Sequence, residues 1–453
     1  MRSLAFISLL FLVSGCPGGP EPIDVECTLD DNTCGPDAPV CGPDGMCAPC
    51  TAGPDGDDVC ATHAPLSYCV ANDMGSTQCA VCRDASHCAA GEICQSDSFT
   101  CGPCTEHAQC PNSACMEGVC LDDPDIMYVD PNGDDTPMLC SQTEPCATIT
   151  GALTVMNMGD PRQFIMVAGD DVTVYEGALI MPDRRVFLLG QGAVIKPVGN
   201  PNDDAPVIRI DRPNSIVDIE NFNIRGAGGA AGADGIDCSG GAELRVRTAT
   251  IQNNDGQGIQ AQECTLTVER STLAHNSLGG IRVRDAGFTI RNNFIVYNGD
   301  QFLSNFGGVS ISNTDFPQSP QLFDFNTVVR NTALDIAGVS STGVGCTTIA
   351  MAMAVGNIVF DNRGPGQVPA TRLTNCAFEY SNIQDDGVGE NNINVPPIFT
   401  DLIGEDLHLD GPQESVDVVG LMPAWCEQGC RDHDGDPRPH NGAHDMGADE
   451  YVP

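Results

Sequence analysis

The chain from residue 240 onward carries apolar and polar positions in a repeating order. Ile251, Leu273, Ile295, Val328 and Val359 are each followed three positions later by an asparagine, namely Asn254, Asn276, Asn298, Asn331 and Asn362. The first two intervals are 22 residues, and the next two are 33 and 31. Two residues before each anchor stands a second small polar column, Ser271, Asn293, Asn326 and Asn357, with Ala249 as the exception. Five residues before each anchor lies a third, apolar column of Val246, Val268, Ile290, Phe323 and Ala354. Short apolar strands at a fixed period, parted by polar turns, predict a parallel β-solenoid whose coils stack ~4.8 Å apart, like residue on like. Asparagine suits such turns because it tolerates left-handed backbone and can hydrogen-bond to its neighbour in the stack.

Upstream, Phe164–Val167, 178–180, Val186–Gly190 and Ala193–Ile195 read as brief strands among Gly, Asp and Pro, and Pro145–Leu153 as a short capping helix. Before residue 123 the pattern gives way to cysteine. The run Cys79-x2-Cys82-x5-Cys88-x5-Cys94 is echoed by Cys101-x2-Cys104-x5-Cys110-x4-Cys115, with a looser copy at Cys47, Cys50, Cys60 and Cys69. The predicted organisation is a signal peptide over 1–15, a Pro/Gly tether over 16–26, cysteine-rich modules over 27–122 and an all-β parallel solenoid over 123–453.

The amino terminus sets the compartment. Arg2 precedes an apolar run from Leu4 to Val13 that is too short to span a bilayer. The following Val13-Ser14-Gly15-Cys16 resembles the lipobox of bacterial lipoproteins, which implies a diacylglycerol on Cys16. The chain has 25 cysteines, so a lipid on Cys16 leaves an even 24 for disulfides in an oxidising compartment. Outside the modules the expected pairs are Cys140–Cys146, Cys346–Cys376 and Cys426–Cys430, leaving Cys238–Cys264. In a cytosolic chain the Cys-x2-Cys units would suggest zinc; here disulfides are the better reading, and no metal site is assigned.

Two longer resemblances follow. Tyr128-Val-Asp-Pro131, Pro145-Cys-Ala-Thr-Ile149, an apolar strand and Leu188-Leu-Gly190 look like the opening of right-handed parallel β-helix proteins of the pectin-lyase-like superfamily. Arg431-Asp-His-Asp-Gly-Asp436, with Arg438-Pro439 and Asp445-Met-Gly-Ala-Asp-Glu-Tyr451, is similar to the terminal motif of bacterial choice-of-anchor Q surface proteins. Together these imply a right-handed β-helix at a Gram-negative outer membrane or cell surface, and no agreed reaction.

Net charge is −42, from 62 acidic and 20 basic residues. Such a surface repels phosphate backbones and argues against nucleic acid as a partner. Arg247, Glu269, Arg291 and Asp324, following Glu220, alternate in sign and read as a salt-bridge ladder. Arg282 and Arg284 alternate with apolar Ile281 and Val283, so they point outward, above Gln260 and Gln262 of the previous coil and below Ser310 and Ser312 of the next. That face suits the hydroxyls and carboxylates of an acidic sugar chain, and an ordinary solvated face accounts for the same residues. His275, Tyr297 and Arg330 precede the asparagine column, and could act as base, acid and carboxylate neutraliser in a β-elimination or simply as turn residues.

Asn313-Thr314-Asp315 and Asp385-Asp386 echo fragments of the polygalacturonase pattern without its remaining elements. Asp432-His-Asp-Gly-Asp436 resembles a calcium loop but lacks the downstream glutamate, so the segment reads as a carboxyl-terminal cap of the solenoid, and no cofactor is assigned, with calcium the alternative. The reading that follows is a lipid-anchored, non-catalytic envelope protein that binds glycans or partner proteins on a solenoid flank. Its alternative is a polysaccharide lyase acting on acidic polysaccharide.

Overall fold

The computed structural model describes residues 40–41, 47–48, 60, 68–71, 77–89, 91–95, 98–110, 113–116, 118–136, 139–177, 179–197, 205–229, 232–312, 320–334, 341–347, 354–364, 376–384, 391–410, 417–418, 430–439 and 444–451. Cys16, Cys426, Asn313–Asp315 and Asp385–Asp386 lie outside these residues. The chain divides into two compact units, Met1–Leu121 and Asp122–Pro453.

The amino-terminal unit is built from two-stranded hairpins such as Tyr68–Ala71 with Thr77–Ala80 and Ile93–Gln95 with Thr100–Gly102. Disulfides Cys60–Cys79, Cys82–Cys94, Cys88–Cys101, Cys104–Cys115 and Cys110–Cys120 hold it. The module from Cys82 to Cys101 therefore begins at the second cysteine of one Cys-x2-Cys pair and ends at the first cysteine of the next, and a second module runs from Cys104 to Cys120. The pair Cys101-x2-Cys104 is the junction between them, and all four sulfurs of each of these two modules are consumed in crossed bonds. Staples of this kind replace the core that such small, polar segments cannot build.

The second unit is a solenoid of three parallel sheets, with eight, nine and seven strands among the described residues. One coil shows the plan. Glu243–Arg247 lies in the first sheet, Thr250–Gln252 in the second and Gln257–Gln262 in the third. In the next coil Thr265–Glu269, Thr272–Ala274 and Gly279–Arg284 pair with them in parallel register. The anchors stack as Ile251↔Leu273↔Ile295↔Val328↔Val359, and all are fully buried. Alternate strand residues face the lumen, so one continuous apolar core runs along the axis.

Both polar columns are buried ladders. Nδ2 of Asn254, Asn276, Asn298 and Asn331 donates to Oδ1 of the next asparagine at 2.9, 2.9, 3.0 and 2.9 Å. In the other column Asn293 donates to Asn326 at 3.0 Å and Asn326 to Asn357 at 3.2 Å. Ser381 prolongs that column, its Oγ accepting the Asn357 amide at 3.0 Å. The ladder asparagines do not adopt the left-handed backbone expected of them. That conformation falls one residue earlier, on Asn253, His275, Tyr297, Arg330 and Asp361 at φ of 54°, 55°, 54°, 58° and 49°. The kinked residue turns outward and its successor inward, which is what aims each asparagine at the one above.

The capping helix spans Ile149–Asn157, starting later than expected because Thr148 is its N-cap, with Oγ1 accepting from the Gly151 amide at 2.9 Å. Its buried face of Ile149, Ala152, Leu153 and Met156 closes the core at the first coil. Among the described residues no helix is long and apolar enough to cross a membrane. Disulfides join Cys140 to Cys146, Cys238 to Cys264 and Cys346 to Cys376, and Cys430 is also disulfide-bonded.

The carboxyl terminus forms a wrap along the side of the solenoid as well as a terminal cap. Phe399, Leu407, Leu409, Met446 and Ala448 pack on Ala274, Phe294, Val296, Val329 and Ile358, the outward positions of the second sheet. Strands Phe294–Val296 and Thr327–Val329 are accordingly buried on both faces. The terminal motif locks this wrap. Asp432 Oδ1 accepts the amides of Asp434, Gly435 and Asp436 at 3.0, 2.9 and 2.8 Å, and its Oδ2 accepts that of Glu450 at 3.0 Å. Arg438 is buried over the Phe325 ring, 3.6 Å from Glu450, and donates to the carbonyls of Asp445 and Gly447. With four N–H donors already on Asp432, the calcium-like loop is a structural turn.

Candidate functional site

The third sheet carries the candidate face. In one outward row Arg209, Asp237, Gln260, Arg282, Ser310 and Gly345 lie in register. In the adjacent row Ser239, Gln262, Arg284, Ser312 and Thr347 follow one another. Ile281, Val283, Ile259 and Ala261 between them are fully buried, which fixes the direction of the arginines. The rows face a cavity of about 210 Å³ lined by Gln257, Leu278, Arg282, Leu303, Ser310 and Thr347, among others. Residues 303–306, in the connection between the second and third sheets, form part of its wall, and Leu303 and its neighbour Phe302 stand 69% and 71% exposed. Large apolar side chains left in water beside a polar cavity offer a surface on which a ring can rest.

Arg284 Nη1 reaches Gln262 Oε1 at 3.4 Å, a long contact. Among the described residues Arg282 makes no ion pair within 4.0 Å, although Asp234 lies close enough to favour its charge. Burial, and then the Arg284 charge, lower the Arg282 pKa from its ordinary value. Burial pushes the Asp234 carboxyl up to about 7, against the Gln257 amide, which donates to its Oδ1 at 2.7 Å. Burial also raises Asp237. Gly256 is required beside this carboxyl, because a Cβ there would stand 2.4 Å from Asp234 Oδ1. The cavity thus presents the Arg282 guanidinium, serine and threonine hydroxyls and Gln257, with Arg284 in the adjacent row and the buried Asp234 carboxyl held by the Gln257 amide. It can bind an anion with several hydroxyls.

The other predicted residues sit elsewhere. His275 and Tyr297 stack with ring centroids 5.4 Å apart, but the wrap engages both: His275 Nε2 is 2.7 Å from Glu405, and the Tyr297 hydroxyl donates to the Leu402 carbonyl at 3.2 Å. Arg330 pairs with Asp361. None of the three lines the cavity, and each occupies a left-handed turn. The sign-alternating ladder brings Arg247 and Arg291 to Glu269 at 3.8 and 2.5 Å on the first sheet. No periodic signal marks Asp234, whose burial depends on how its loop settles against Gly256 and Gln257 of the next coil. The sequence reading passed over the wrap, which the two-faced apolar triplets Phe294-Ile-Val296 and Ile358-Val-Phe360 announce.

Comparison with protein-family models agrees with this architecture. A family model described as the right-handed β-helix region matches residues 234–389. Among solved structures, pectate lyase Pel9A is similar at 12% identity and a TM-score of 0.40, over 72% of this chain and 96% of that one. No curated protein matches. The fold is a right-handed parallel β-helix preceded by a disulfide-rich region.

Proposed function

We propose that this chain is an exported envelope protein, held to the outer membrane by a lipid on Cys16, whose solenoid binds an acidic glycan in the groove at Arg282 and Arg284. The observation that carries the reading is Arg282, half-buried in a cavity wall without a carboxylate within ion-pair distance among the described residues, on a chain of net charge −42. A guanidinium kept there amid so much acid is best used on an anion that arrives from outside. Each charge-assisted hydrogen bond to a sugar carboxylate contributes about 1.5–3 kcal/mol. The surrounding acidity opposes the approach of a polyanion, yet beyond ~8 Å that repulsion is screened at physiological salt. Direct contacts therefore decide affinity, while added salt speeds association.

The test is calorimetric titration of the soluble mature chain with polygalacturonate, alginate and neutral amylose. Uronate binding that falls by ~10-fold or more in the Arg282→Ala/Arg284→Ala double variant is expected, which corresponds to about 1.4 kcal/mol. Equal affinity for amylose, or an unchanged double variant, overturns the reading. Unsaturated-uronate absorbance, with or without calcium, would replace it with the lyase alternative. Lipid attachment is checked by metabolic labelling with a fatty acid, which Cys16→Ala should abolish.

A further inference from the structure

Three separate segments of the carboxyl-terminal wrap meet at His408, Asp434 and Asp449. One ligand atom from each, an imidazole nitrogen or a carboxylate oxygen, lies within 4.8 Å of the other two. His408 stands between carboxylates: Nε2 is 2.7 Å from Asp434 Oδ2, and Nδ1 is 2.5 Å from Asp406 Oδ1. A neutral ring can donate to only one of them. With its proton on the Asp406 side, it turns the Nε2 lone pair toward an oxygen that also carries only lone pairs.

Asp449 gives an independent pointer. It is 6% exposed and its Oδ2 accepts the Leu409 amide at 2.7 Å, while among the described residues Oδ1 accepts no hydrogen bond and no arginine pairs with either oxygen. Oδ1 is open to solvent beside Asp434 and His408, where a cation can reach it. Asp432 next door cannot be that cation's ligand in the same way, since four N–H groups already occupy its oxygens. Phe294 of the second sheet forms an apolar floor under the cluster, its ring centroid 5.7 Å from that of His408 and 4.1 Å from that of His433.

We propose that His408 Nε2, Asp434 and Asp449 bind a divalent transition-metal ion, zinc, with water completing the tetrahedron. Mixed nitrogen and oxygen donors favour such an ion over calcium, which takes oxygen alone. Asp406 is the outer carboxylate that fixes the ring tautomer, as second-layer carboxylates do behind metal-bound histidines. Because the ligands come from the strand Asp406–Leu409, the Asp432 turn and the terminal run, the ion pins the wrap at one point.

The experiment uses the mature chain, treated with chelator, desalted and titrated with zinc chloride alone. Bound metal is read by mass spectrometry of the gel-filtered protein, and stability by thermal unfolding. One tightly held equivalent and a raised Tm are expected, with both lost in His408→Ala and Asp434→Asn. Asp406→Asn should weaken binding by ~10–100-fold without abolishing it. Asp434 is exposed, so its variant stays folded even if His408→Ala does not. Cobalt in place of zinc should give a visible absorption band that the same variants remove. Failure of the wild-type chain to retain zinc, or equal retention by Asp434→Asn, overturns the proposal.

Discussion

Replacing Asn298 by alanine tests whether the ladder holds the coils together. Asn298 is fully buried, its Oδ1 accepts the Asn276 amide at 3.1 Å and Nδ2 at 2.9 Å, and its own Nδ2 donates to the Leu273 carbonyl at 2.8 Å and to Asn331 Oδ1 at 3.0 Å. Asn331 Oδ1 keeps one donor, the residue 298 backbone amide at 2.9 Å. Truncation therefore strands the Asn276 amide, one Asn276 side-chain hydrogen and part of the Leu273 carbonyl's capacity. Buried groups left without partners cost about 1–3 kcal/mol each, so the loss should be roughly 3–5 kcal/mol once some water enters. Asn298→Asp should cost more at neutral pH, because it turns a carboxylate oxygen on two acceptors, and should recover toward the alanine value in acid. Urea unfolding by far-ultraviolet circular dichroism gives the total. Hydrogen exchange at residues 273–280 and 328–333 shows whether the damage stays with neighbouring coils, as a one-dimensional stack requires. A cost below about 1 kcal/mol with unchanged m-value, or an Asn276 amide that keeps its protection, would refute the argument.

Other predictions follow from the same contacts. Asp234 has a folded-state pKa of about 7 against an ordinary 3.8, so it folds best protonated; stability falls as pH rises between those values and the deficit is complete above about 7. Asp234→Asn should match wild type near pH 4 and exceed it at pH 8 by up to roughly 4 kcal/mol in urea titrations; a pH-independent difference counts against a buried acid. Arg438→Met takes the guanidinium from buried Glu450, which keeps only neutral partners such as the Asp445 amide at 3.1 Å, and from two carbonyls, and should cost about 3–5 kcal/mol, seen as early proteolytic release of the wrap; a cost near zero would mean that the motif is not a lock. His275→Ala breaks a pair whose members are 37% and 40% exposed and should cost less than about 1 kcal/mol while leaving uronate binding unchanged; lost binding would return His275 to the site.

The ladder and the solenoid were legible because a periodic fold writes its contacts into the period: residues 22 apart in sequence become neighbours, and Ile251 over Leu273 follows from counting. Outward Arg282 and Arg284 were equally legible, since strand alternation needs no tertiary information. Asp234 beside Gln257 was not, because its burial depends on how one loop settles over the next coil. The frame of the cysteine modules was also hidden, since equal spacing fits either choice of first cysteine. Least readable was the fate of His275 and Tyr297, which the column placed on a surface and the wrap then claimed. Local pattern thus determined which residues face inward, outward and toward the next coil, for those choices depend on strand parity and repeat length alone. Tertiary structure decided which outward residues stay in water, because burial by Phe399, Leu407, Leu409, Met446 and Ala448 joins positions distant in sequence through contacts that have no period.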